Sequence, residues 1–260
     1  MDWDDAYANA AHIPNADGFV TGWERDAAAF RARMVQDGRA TLGVSYGDTA
    51  RQAYDVFEPE GVAKGTLVFV HGGYWLRFDR SYWSHFATGA LMRGWRVVMP
   101  SYDLCPDVRI ADITSQIAKA VTQIASSFAG PLSLAGHSAG GHLVARMGQV
   151  LRQDILGRVR HIVPISPVSD LRPMLKLAMN ADFKLTEDTA IAESPALHNA
   201  PNVPVTCWVG ADERPVFLDQ SRWLAEAWGC DEVVVEGKHH FDVIDELADG
   251  DSQMIETLLG

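Results

Sequence analysis

Along the chain, short apolar, β-branched runs alternate with longer stretches in which apolar residues recur every three or four positions. The short runs are Ala53 to Phe57, Thr66 to Val70, Trp95 to Met99, Leu132 to Ala135, His161 to Ile165, Val205 to Val209 and Glu232 to Val235, each of strand length. Between them, Ile113, Ile117, Val121, Ile124 and Phe128 keep helical spacing, as do Leu143, Met147 and Val150, and later Phe217, Ser221, Leu224 and Trp228. Gly229 stands where the last of these helices would stop. Strands that alternate with helices predict an α/β fold, a mostly parallel central sheet flanked by helices on both faces. Two regions break the alternation. Residues 1–40 are acidic and helix-leaning, and are expected to form a helical lead-in. Residues 167–200 carry apolar residues without strand character, and are expected to form a short helical cap over the carboxyl edge of the sheet, where open α/β sheets bind ligands. No repeat, low-complexity tract or linker divides the 260 residues, so a single domain is expected.

Composition removes several function classes. With 47% apolar and 22% charged residues the chain has the make-up of a globular protein with a substantial core. Lys and Arg total 22 against 34 Asp and Glu, and the resulting net charge of −12 repels nucleic-acid backbones and anionic bilayers. Neither nucleic acid nor membrane is therefore an expected partner. The chain opens MDWDD, with no cationic stretch ahead of an apolar one, and no apolar run approaches the roughly 18 to 20 residues that span a bilayer, so a cytoplasmic location is expected. Cys105, Cys207 and Cys230 are odd in number and widely spaced, which points to reduced thiols rather than a disulfide framework or a zinc site.

The segment LSLAGHSAGGHLVARM (132–147) places Gly136, Ser138 and Gly140 in G-x-S-x-G spacing, directly after a strand and at the start of a helix. Such a tight strand-to-helix turn strains the serine backbone and lifts its hydroxyl out of the sheet, and the flanking positions must be small. Acyl transfer from that hydroxyl forms a tetrahedral oxyanion, and each preorganised amide donor at the oxyanion is worth roughly 3 to 4 kcal/mol in the transition state. LVFVHGGYW (67–75) strips the backbone of side chains at Gly72 and Gly73 just past another strand, so the expected donors lie around Gly73 and Tyr74, with the amide of Ala139 as the other. The hydroxyl also needs a base and an acid that orients the base. EGKHHFDVIDEL, just past the last strand, offers His239 and His240, and VTCWVGADERPVF offers Asp212 and Glu213, which spacing and chemistry alone do not separate. Tyr74, Trp75 and Phe78 are candidate aromatic contacts for a substrate, whereas Trp83 keeps helical spacing with Phe86, Ala87, Ala90 and Leu91 and is assigned to the core. No cofactor is called for. HExxH is absent, and His137 and His142 are poorly spaced to share a metal, so no metal is expected.

HGGYW at 71–75, GHSAGG at 136–141 and HF at 240–241 together resemble the α/β-hydrolase superfamily, and within it the kynurenine formamidase (arylformamidase) and hormone-sensitive-lipase-like esterase branch. SYDLCP at 101–106 resembles the Tyr-x-Leu-x-Pro stretch that follows a strand in that branch. The resemblance implies the α/β-hydrolase fold, Ser138 as nucleophile and His240, ahead of Phe241, as base. The family's spacing, three residues after a strand-ending glycine and four before a phenylalanine, implies Glu213 as the acid, counted from Gly210 and from Phe217, with Asp212 as the alternative. The implied activity is a serine hydrolase that cleaves a small ester or an aryl-formamide such as N-formyl-L-kynurenine. A general short-chain carboxylesterase or thioesterase is the alternative, and a non-catalytic binding protein is disfavoured because a candidate for every role is present. Apolar surface in the 167–200 segment is a candidate lid or homodimer face.

Overall fold

The computed structural model describes residues 2–260. Its strands are β1 (Ala40–Ser45), β2 (Ala53–Phe57), β3 (Thr66–Val70), β4 (Arg96–Pro100), β5 (Leu132–His137), β6 (Val159–Ile165), β7 (Thr206–Gly210) and β8 (Asp231–Val235). Its α-helices are α1 (Trp3–Ala6), α2 (Ala16–Gln36), α3 (Thr88–Met92), α4 (Ile110–Ser127), α5 (Ala139–Val150), α6 (Gln153–Leu156), α7 (Asn180–Phe183), α8 (Glu187–Ala192), α9 (Pro215–Trp228) and α10 (Gln253–Leu259). The strands form one eight-stranded sheet in the order β1-β2-β4-β3-β5-β6-β7-β8. β2 pairs antiparallel with β1 and with β4, and the remaining neighbours are parallel.

The period-2 geometry of the strands splits the core in two. Val68, Val70, Leu132 and Leu134 face Ile113, Ile117 and Val121 of α4, Leu143 and Met147 of α5 and Leu224 of α9. Leu67, Phe69, Val97 and Ala135 point the other way, onto Trp23, Phe30 and Met34 of α2, Leu91 of α3 and Ile255 and Leu258 of α10. Strands buried on both faces read as continuous apolar runs, which is why they were legible. Gly229, with φ +60°, caps α9 in the left-handed conformation that a side chain would resist.

All seven predicted strands are present, with ends displaced by two residues at most. The exception is β1, which the sequence pattern hides. It is an edge strand with mostly exposed side chains, and Gly43 (φ +71°) sits within a break of register between Thr41 and Val44. A half-exposed, bulged edge shows no apolar alternation.

Chain direction also fixes where a ligand can bind. β4 lies on one side of β3 and β5 on the other, so the segments leaving the carboxyl ends of β3 and β5 diverge and leave a crevice. Residues 167–200 do form short helices, α7, α8 and two 3-10 turns, but they supply only Ala178 and Met179 to the cavity at that crevice. Most of the roof comes instead from the lead-in, whose residues 4–23 line the cavity from Asp4 to Trp23. The lead-in therefore supplies more of the cavity lining than the expected cap does. No helix among the described residues is long and apolar enough to cross a membrane.

Candidate active site

β5 delivers Ser138 as the first residue outside the sheet. Its backbone is strained (φ 57°, ψ −117°), its N–H donates to Ile165 O at 2.8 Å, and α5 starts at the next residue. The glycines around it are imposed by close backbone approach. A Cβ on Gly140 would lie 2.0 Å from Val70 O, and one on Gly136 would lie 2.2 Å from Gly140 O. Gly72 is equally confined, since its Cβ would lie 2.8 Å from His137 O and 3.1 Å from the Ser138 Cβ. The turn after β3 thus packs directly on the serine turn.

Gly73 (φ +114°), Tyr74 (φ 52°) and Trp75 (φ 56°) follow in left-handed conformations, an arrangement that non-glycine residues adopt only when held. Tyr102 Oη donates to His71 O at 2.9 Å, Cys105 N donates to Trp75 O at 2.8 Å, and Tyr74 Oη donates to Tyr7 O at 2.7 Å. SYDLCP is therefore the clamp of the glycine turn. The amides of Gly73, Tyr74 and Ala139 make no hydrogen bond among the described residues.

Of the two candidate acids, the structure brings Glu213 to the imidazole. His240 Nδ1 lies 2.6 Å from Glu213 Oε2, and both side chains are almost wholly buried. Glu213 Oε1 accepts from Ser166 Oγ at 2.5 Å and from Gly210 N at 2.9 Å, so each carboxylate oxygen is engaged. Asp212 is exposed, and no hydrogen bond or ion pair joins it to His240. Ser166, itself left-handed at φ 47°, had no sequence signal, because a lone serine in a loop resembles any other.

His240 is seated between Phe217 (4.4 Å between ring centres) and His137 (4.7 Å). His137 Nε2 lies 2.8 Å from His240 O. Burial, reinforced by the nearby His240, holds the His137 pKa well below the usual histidine value, so its neutral ring donates that bond. His142 is turned away, with Nε2 2.7 Å from Glu193 O, and burial lowers its pKa to about 4. Among the described residues, no group of three or more His, Cys, Asp and Glu side chains is placed to hold a metal ion. His239 is half-buried against Phe19, with ring centres 5.0 Å apart.

Ser138 and His240 line one cavity of about 680 Å³, together with Gly73, Tyr74 and Phe78. No hydrogen bond joins the Ser138 side chain to His240 among the described residues. Trp75 is not part of the wall. It is fully buried, edge-on to His142 (5.1 Å) and Phe183 (5.6 Å), because an indole at that turn gains most by leaving water. Trp83 lines the cavity while packing on Phe69 and Phe86, so it serves core and wall at once. Tyr7, Asn9, Val20, Trp23 and Phe241 also line the cavity. The first four were missed because nothing local marks a lead-in helix as a roof.

Residues 67–244 match the family described as alpha/beta hydrolase fold. The chain is 27% identical over 239 residues to the kynurenine formamidase of Salmo salar, covering 84% of this chain and 80% of that protein. It is 30% identical over 238 residues to the kynurenine formamidase of Drosophila melanogaster, covering 82% and 78%. Among solved structures, a Silicibacter sp. TM1040 protein provisionally described as a thioesterase superposes with TM-score 0.97 at 53% identity over the whole of both chains. An esterase of Pyrobaculum calidifontis shares the fold at 18% identity, TM-score 0.68, over 92% and 90%. The chain belongs to the α/β-hydrolase family, in its kynurenine formamidase-like branch.

Proposed function

We propose that this hydrolase acts through Ser138, His240 and Glu213, without a metal, on an aryl-formamide of the N-formylkynurenine type. The observation that carries the proposal is the 2.6 Å Glu213–His240 pair beside a cavity that also holds a strained serine at a helix start. Glu213 keeps the proton on Nδ1 and leaves Nε2 free to take the Ser138 proton as Oγ attacks the formyl carbon. A substrate that fills the cavity draws hydroxyl and imidazole together, as hydrogen bonds loose in the free enzyme tighten in the complex. The carbonyl oxygen becomes an oxyanion facing the amides of Gly73, Tyr74 and Ala139 and the amino end of α5. His240 returns the proton to the leaving aryl amine, which departs and leaves formyl-Ser138. Water, deprotonated by His240, then releases formate and restores the serine. Phe78 and Trp83 supply apolar walls for the aryl ring.

A short-chain ester or thioester is the second reading, favoured by the 53% identity to the protein provisionally described as a thioesterase. Comparing kcat/KM for N-formyl-L-kynurenine, p-nitrophenyl acetate and an acyl thioester separates the two. A formamide value far below the other two removes the first. Full activity in EDTA with none in Ser138→Ala is the expected outcome, and turnover abolished by the chelator would overturn the serine mechanism.

A further inference from the structure

Asn9, in the lead-in, lines the cavity and is only 5% exposed. Its backbone is engaged, with N–H donating to Tyr7 O at 3.1 Å and O accepting from His12 N at 3.0 Å. Its side chain is not, for neither Oδ1 nor Nδ2 has a partner among the described residues. A buried carboxamide without partners is unfavourable by more than the net worth of one hydrogen bond, and folded chains retain such groups chiefly where a ligand or solvent completes them. The mouth of the same cavity carries both signs of charge, with Arg77 and Asp17 exposed on it. Asp4 is there too, although its Oδ1 already accepts from Ala178 N at 2.8 Å.

A carboxamide offers an acceptor and two donors from one neutral group. Its oxygen takes a hydrogen bond from an ammonium while its NH2 donates to a carboxylate, and the flanking Arg77 and Asp17 repeat those two preferences at longer range. We propose that Asn9, with Arg77 and Asp17, forms the subsite for a zwitterionic α-amino-acid end of the substrate, and that Asn9 sets specificity for it. This inference rests on the proposed function only in placing the substrate in this cavity. Asn9 touches no reacting atom, so its effect falls on binding.

The test is calorimetry in a Ser138→Ala background, with two ligands: N-formyl-L-kynurenine and N-(2-acetylphenyl)formamide, which keeps the aryl-formamide and ketone and lacks the amino-acid end. With Asn9 present, the first should bind at least about tenfold tighter, and Asn9→Leu should cut that preference to about threefold or less with the Kd of the analogue unchanged. Asn9→Leu should also leave Tm the same or higher, since it removes an unpaired polar group. Asn9→Ala, which demands no new space, repeats the binding comparison if the leucine variant does not fold. A preference indifferent to residue 9, an equal loss for both ligands, or a fall in Tm with Asn9→Leu would overturn the subsite. If the protein with Ser138 intact hydrolyses neither formamide while the preference persists and depends on Asn9, the formamidase reading falls and the subsite stands. If hydrolysis occurs and the preference ignores residue 9, the subsite alone falls.

Discussion

The floor and the roof of the cavity are built by different physics. On the floor, backbone meets backbone: Gly140 against Val70, Gly136 against Gly140 and Gly72 against His137 leave no room for a single methyl group. The roof is joined to the body by side chains. Asp5 pairs with Arg214 at 2.9 Å, Gln220 Nε2 donates to Tyr7 Oη at 2.9 Å, and Lys176 lies over the Trp3 ring at 4.4 Å. Further along, the lead-in gains a buried ionic anchor, where Arg31 of α2 and Arg80 both engage the wholly buried Asp55. A floor of this kind holds reacting groups to a fraction of an ångström, and a roof of this kind can change between relatives without disturbing them. In the proposed mechanism the floor carries the chemistry and the roof selects the substrate.

The sharpest test of the floor is Ser138→Ala, expected to lower kcat by about 10⁴-fold or more for every substrate, as measured by initial rates on folded protein. Retained turnover would mean that another group attacks. Glu213→Gln should cost about 10³- to 10⁴-fold in kcat, through loss of the imidazole's orientation, while Asp212→Asn stays within about twofold. The reverse order would make the 2.6 Å contact incidental. Gly140→Ala, forced against Val70 O, should lower unfolding free energy by about 3 kcal/mol or more in urea titration. A near-neutral result would show that the floor can yield.

The pH dependence of stability is next in size. Burial holds His71 and His142 to pKa values of about 4, and His137 well below its ordinary value. The unfolded chain binds these protons below about pH 6.5 while the folded one does not, so their stabilisation is complete above that pH and is lost as pH falls toward 4. Urea midpoints at a series of pH values should show this decline, and His142→Gln should reduce its slope. A flat profile between 6.5 and 4.5 would contradict neutral burial. Smallest is the roof. Asp5→Ala should leave kcat within about twofold and raise KM a few-fold, because an exposed ion pair contributes little. A kcat loss comparable to that of Glu213→Gln would erase the distinction between roof and floor.

Two kinds of information divide along the same line. Seven strands, the helices between them and the Ser138 turn were legible in the chain because each rests on local causes, apolar period or the sterics of a tight turn, whereas the choice of His240 over His239 came from the family resemblance. That Glu213 rather than Asp212 meets His240 was left open by spacing and chemistry, and only the family's spacing favoured it. The contact forms where the β7 turn packs against the loop after β8, and a Cβ on Gly210 would lie 2.1 Å from Lys238 O. Ser166 behind the carboxylate, Trp75 withdrawn into the core, Trp83 on the cavity wall and Asn9 in the roof are decisions of the tertiary structure alone. Local sterics act over a few residues and leave a mark at those residues. A contact between residue 9 and a cavity floored by residue 138 depends on how the whole lead-in packs across the sheet, and no short stretch of sequence records that.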